Sequence, residues 1–154
     1  MKMTVSIDNN KTIVVMPFIT TDSLSIDYGQ SSNENKDSVK YGQIKVMGAE
    51  PLASINISSF FPKGKQAFVE PDAWEDPLKY VRFFRTNRKK GKAMRVVITG
   101  DNEEEIFNRL MACETFEISK VSKTGDIYCS LSFEQYRLCL LYTSPSPRDK
   151  RQSR

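Results

Sequence analysis

Apolar side chains fall on every second position along several stretches of this chain, and on one side of a helical wheel along only one. Within residues 52–62, Ile55 and Ile57 share one face while Ser54, Asn56 and Ser58 share the other, which is the period of a half-buried strand. Met94, Val96 and Ile98 alternate with Arg95, Val97 and Thr99. Ile127, Cys129, Leu131 and Phe133 alternate with Tyr128, Ser130 and Ser132, just after the turn residues Lys123-Thr124-Gly125-Asp126. The start of the chain alternates weakly, turns at Asn9-Asn10-Lys11 and then runs apolar through residues 12–19, predicting a β-hairpin over about residues 3–18. Residues 41–48 form a further short segment of mixed character. Residues 20–40 are mostly polar and read as a mobile loop flanked by short extended pieces, and 63–71 read as loop.

One segment has helical signals at both ends. Asp76 stands at the N-cap position, Pro77 at the first helical position and Gly91 beyond the end. On the wheel Tyr80, Val81, Phe83 and Phe84 fall on one side, and Lys79, Arg82, Arg85 and Lys89 broadly on the other. Arg88, Lys89 and Lys90 also suit the negative end of the helix dipole. Residues 106–119 remain open: Glu103-Glu104-Glu105 favours a helix start, whereas Thr115-Phe116-Glu117-Ile118 favours a strand. The sum is an α+β fold, a mainly antiparallel β-sheet with one amphipathic helix over about residues 76–90.

Composition narrows the chemistry. The chain has 154 residues, enough for one domain around one core. It has no histidine, which removes the commonest general base, nucleophile activator and zinc ligand. The three cysteines, Cys113, Cys129 and Cys139, include no CxxC, and Cys113 and Cys129 fall in apolar periodic segments as core residues. No run approaches the ~20 apolar residues of a membrane helix, and the start lacks signal-peptide character, so the chain is expected in a cytoplasm or released from it by lysis. The acidic clusters Glu70/Asp72/Glu75/Asp76 and Asp101/Glu103/Glu104/Glu105 lack an EF-hand spacing and read as solvated surface. Ile98-Thr99-Gly100-Asp101 after a strand is not a GxGxxG or P-loop motif. No catalytic residue, metal site or cofactor is expected.

Charge needs a correction for the end of the chain. Residues 139–149, Cys-Leu-Leu-Tyr-Thr-Ser-Pro-Ser-Pro-Arg-Asp, resemble the translation of a transposase mosaic end joined to a sequencing adapter, so 139–154 are expected to be a non-native, disordered tail. Arg148, Lys150, Arg151 and Arg154 against Asp149 give that tail a net +3 of the chain's +4, leaving +1 for residues 1–138. Overall basicity therefore says little about nucleic acid. The basic stretch 77–95 keeps a nucleic-acid-binding helix as the second reading, but its aromatics face away from its cations and are poorly placed to stack on bases. The favoured reading makes Lys79, Arg82, Arg85 and Lys89 a contact face for a protein partner. Phe60 and Phe61 join them as contact candidates: consecutive strand residues point to opposite sides, so one enters the core and the other covers a neighbouring element or an intersubunit surface.

An ordered set of segments carries a family resemblance. It comprises residues 42–48 (GQIKVMG), 55–62 (INISSFFP), 76–80 (DPLKY), 91–100 (GKAMRVVITG), 125–128 (GDIY) and 134–137 (EQYR). Together they resemble the N-terminal domain of LysM-containing tail proteins of PBSX-type prophages and related contractile tails, over roughly residues 3–137 and most weakly over 20–40. The resemblance implies a non-enzymatic structural part near the junction of tail tube and baseplate. Its partners would be other tail and baseplate subunits, in a symmetric homo-oligomer. It implies a location in the virion tail, and in the bacterial cytoplasm during assembly. Peptidoglycan binding would belong only to a missing C-terminal LysM module, and no membrane contact is implied.

Overall fold

A computed structural model describes residues 1–138 of the chain; the adapter-like stretch 139–154, with Cys139, lies outside the described residues. The architecture is α+β. Strands β1 (Lys2–Ile7), β2 (Thr12–Val15), β3 (Leu24–Asp27), β6 (Ser54–Phe61), β7 (Met94–Thr99), β8 (Glu105–Val121) and β9 (Ile127–Gln135) form a seven-stranded sheet. Its order is β2-β1-β7-β8-β9-β6-β3, with every neighbouring pair antiparallel. Strands β4 (Glu34–Ser38) and β5 (Gly42–Val46) pair only with each other, and the helix α1 (Pro77–Lys89) links β6 to β7.

The period-two segments form the strands expected of them. The first hairpin turns through Asp8, Asn9 and Asn10, all in the left-handed region, where short polar side chains are tolerated best. Gly125, at φ +96°, turns β8 into β9, and the turn is closed by the Asp126 carboxylate, which accepts from the Thr124 hydroxyl at 2.6 Å and the Lys63 N–H at 2.9 Å. Those two bonds hold the Asp126 carboxyl below its ordinary pKa.

Registers carry the apolar set across the sheet on one face. Val14 lies opposite Val5, Val5 opposite Val96, Ile98 opposite Phe107, Cys113 opposite Phe133, Phe133 opposite Ile55 and Ile57 opposite Leu24. Most of these side chains are buried, and they form a single core.

Helix α1 closes part of that face. The Asp76 carboxylate accepts from the Leu78 N–H at 3.0 Å. At the other end Gly91 donates to the Arg88 carbonyl and Lys92 to the Asn87 carbonyl, the bond pattern of a glycine-terminated Schellman cap with Gly91 at φ +61°. Tyr80, Phe83 and Phe84 are buried and Val81 is half-buried, while Lys79, Arg82, Arg85 and Lys89 are exposed. Phe61 stacks on Tyr80 with ring centroids 4.5 Å apart, and Phe84 meets Phe61, Phe116 and Phe133. The buried Tyr80 hydroxyl donates to the Val15 carbonyl at 3.0 Å and accepts from the Trp74 N–H, tying α1 to β2.

Two stretches gain definition. The polar stretch 20–40 holds β3 and β4 as the short extended pieces flanking its loop, with a 3-10 turn at Thr21–Ser23 before them. Its polar composition hid β4, which is a strand because Gly42–Val46 pairs with it and not because of any alternation of its own. The open stretch 106–119 is strand throughout, part of β8.

Candidate functional site

Three surface features emerge from this scaffold. The first grows from the β3–β6 pair, whose register sets Asp27 opposite Ser54. Between them residues 28–53 leave the main sheet, and β4 and β5 fold on each other as a two-stranded arm. Every residue of β5 is exposed, including Ile44 and Val46, and the arm also bares Val39, Tyr41 and Met47. Val39 is 110% exposed, Met47 77% and Tyr41 73%, so the tip and one strand present apolar side chains directly to water. Val46 and Ile44 share a side of the arm with Glu34 and Lys36, their register partners.

The root of the arm is held firmly. The Glu50 carboxylate meets the Arg109 guanidinium at 3.3 Å and that of Arg137 at 3.6 Å, and Arg137 also donates to the Glu50 and Pro51 carbonyls. The Arg109 guanidinium lies 5.4 Å from the centre of the Tyr28 ring, which packs near Phe107 of β8. Gly29 and Gly48 sit where the two sides of the root meet: a Cβ on Gly29 would strike the Pro51 ring, and one on Gly48 would collide with the Ser32 backbone. Gly48 N–H donates to the Asn33 side-chain oxygen at 2.9 Å. None of these anchors was legible before the fold, because Glu50, Arg109 and Arg137 are far apart in sequence.

The second feature is the outward side of α1. Lys79, Arg82, Arg85 and Lys89 all point to solvent, and none makes an ion pair among the described residues. Lys79 extends over the Trp74 ring, its ammonium 4.3 Å from the centroid. Arg88 turns instead toward the sheet and donates to the Glu114 carbonyl at 2.9 Å. Between α1 and β8 lies an open groove of about 620 Å³, lined by Val81, Arg85, Arg88, Lys89, Phe116 and Ile118.

The third is Phe60 with its neighbours. Phe60 is half-buried, within 5.4 to 6.1 Å of the rings of Tyr128, Phe18 and Phe68. Phe61 corrects an expectation: it is 0% exposed, stacked under α1, and so is a core residue and not a contact residue. The alternation of β6 sends the two rings to opposite faces as the sequence required, and only Phe60 reaches the surface.

The remaining polar chemistry is sparse in geometry. Burial pushes the Cys113 thiol up to about 11 and the Cys129 thiol up to about 12, which disfavours the reactive thiolate. A depression of about 490 Å³ on the outer sheet face gathers Ser25, Ser58, Ser130, Ser132 and Thr115 with Asp22 as its only ionisable side chain. Asp8 is held below its ordinary pKa by its bond to the Lys92 ammonium at 2.7 Å, a surface link between the first turn and the start of β7. Among the described residues no group of three Cys, Asp or Glu side chains gathers as a metal site, and no helix is long and apolar enough to cross a membrane. Compared with protein-family models and with curated proteins, the chain matches none.

Proposed function

We propose that this protein is a structural component of a phage or phage-like contractile tail, working by protein–protein contact near the junction of tail tube and baseplate. The observation that carries the reading is the arm of residues 28–53: a two-stranded β-hairpin apart from the main sheet that exposes Val39, Tyr41, Ile44, Val46 and Met47 to water. Exposed apolar area of this kind favours association at about 25 cal/mol for each Å² removed from water, against the entropy of docking. Glu50, Arg109 and Arg137 join the root of this hairpin to β8 and to the segment after β9.

The resemblance of residues 3–137 to the N-terminal domain of LysM-containing tail proteins supplies the setting. On this reading the arm reaches neighbouring tail or baseplate subunits, copies of the chain form a symmetric ring, and the unpaired cations of α1 meet acidic surfaces. The protein resides in the virion tail and, before assembly, in the host cytoplasm. No step of catalysis and no cofactor enters.

An antibody raised against the full chain tests this on gradient-purified tail particles from the source organism. The protein should co-sediment with the particles at a fixed ratio to the tail-tube subunit, and nuclease treatment should not release it. Recovery solely in the soluble fraction, or release by nuclease, contradicts the proposal.

A further inference from the structure

Strand β8 has two edges, and they are used differently. Along one, Met111–Val121 pair with β9; along the other, β7 pairs only as far as Met111. From residue 112 to 121 the second edge carries no strand among the described residues; the Arg88 guanidinium donates to the Glu114 carbonyl and the Cys113 thiol to the Thr115 carbonyl. Helix α1 runs beside this bare edge, and the groove between them has an apolar floor of Val81, Phe116 and Ile118. Ile118 is 42% exposed there. Arg85, Arg88 and Lys89 line the same groove, while Glu117 lies opposite Ser130 in register, on the alternate side of β8 from Phe116 and Ile118.

We infer that the groove between α1 and β8 accepts an extended acidic–apolar peptide segment of another protein, which adds to β8 as an extra strand. An unpaired strand edge supplies backbone donors and acceptors in register, and the pockets beside it read alternate side chains. Every second side chain of a guest strand would face α1, and the apolar ones among these would lie against Phe116, Ile118 and Val81. Acidic side chains on that same face would reach Arg85 and Lys89, which have no acidic partner among the described residues. Two of the bulges in β8, between Cys113 and Thr115 and between Ile118 and Lys120, bound the regular part of the edge, so the segment read is short. This inference rests on the groove alone and not on the tail reading.

The test uses the full chain and two fluorescein-labelled ten-residue peptides in which every second residue is serine and the intervening positions alternate valine with glutamate in one and valine with lysine in the other, followed by anisotropy. The glutamate peptide should bind saturably and at least about tenfold more tightly than the lysine peptide. Val81→Trp fills the groove without changing charge and should weaken binding at least about tenfold, as should Ile118→Glu and the double variant Arg85→Glu/Lys89→Glu. Circular dichroism melts identify which variants remain folded, and the three act on different sides of the groove, so loss of one leaves the others informative. The basic residues of 139–154 are common to all the proteins compared. Equal binding of both peptides, or undiminished binding by the folded variants, overturns the inference. So does wild-type self-association, by sedimentation velocity, that Val81→Trp abolishes, because a second copy would then be the occupant.

Discussion

Phe60 and Phe61 show how much one residue's neighbours decide. Phe61 is wholly buried between the sheet and Tyr80, so Phe61→Ala should cost about 3–5 kcal/mol of stability, whereas the half-buried Phe60 should cost clearly less. Urea unfolding of the two variants checks this, and equal losses would contradict the packing. Tyr80 gives a pH signature. Desolvation pushes its hydroxyl up to about 12 from the ordinary 10.0, so the folded state favours the neutral phenol. Its contribution is fully present below pH 10 and is lost as pH rises toward 12. Tyr80→Phe should remove that part of the alkaline destabilisation. It should also cost about 1–3 kcal/mol at neutral pH, because the Val15 carbonyl and the Trp74 N–H lose a partner. Thermal melts of both proteins from pH 8 to 12 measure the difference.

At the scale of elements, what could be read from the sequence depended on local chemistry. Helix α1 was legible because both of its ends are written in single residues, Asp76-Pro77 and Gly91, and its buried ring of Tyr80, Phe83 and Phe84 keeps a helical period. Strand β8 was not, and the reason is geometric. Phe107, Met111 and Cys113 keep one phase, the bulge after Cys113 shifts it to Phe116 and Ile118, and the bulge after Ile118 shifts it again to Val121. With a further register shift against β7 at Ile106, the strand has no single period to find. The arm was hidden for another reason: Glu34–Ser38 buries nothing fully, so burial leaves no trace in its sequence. The candidate contact residues on α1 were legible from the same wheel that located its core. The arm's root was not, since Gly48 matters only through its close approach to Ser32. Gly48→Val should therefore loosen the arm with little change in the melting temperature of the main sheet. Hydrogen exchange should rise over residues 32–48 and stay unchanged in β7, β8 and β9; uniform exchange across the chain would contradict this separation.

At the scale of the molecule, a sheet with one helix packed on its apolar face leaves four surfaces for partners: the arm, the cationic side of α1, the groove beside β8 and the Phe60 cluster. The described residues carry nearly balanced charge overall, yet Lys79, Arg82, Arg85 and Lys89 are concentrated on one helix without acidic partners. A local field of this kind steers association and sets orientation more than it adds affinity. We propose that these surfaces hold the protein in an assembled tail. The most direct measurement is incorporation of the Arg82→Glu/Arg85→Glu/Lys89→Glu variant into gradient-purified tail particles, quantified against wild type by immunoblot. All three residues are exposed, so the variant should fold and melt like wild type, yet be depleted from particles by about tenfold or more. Incorporation at the wild-type level would contradict the account.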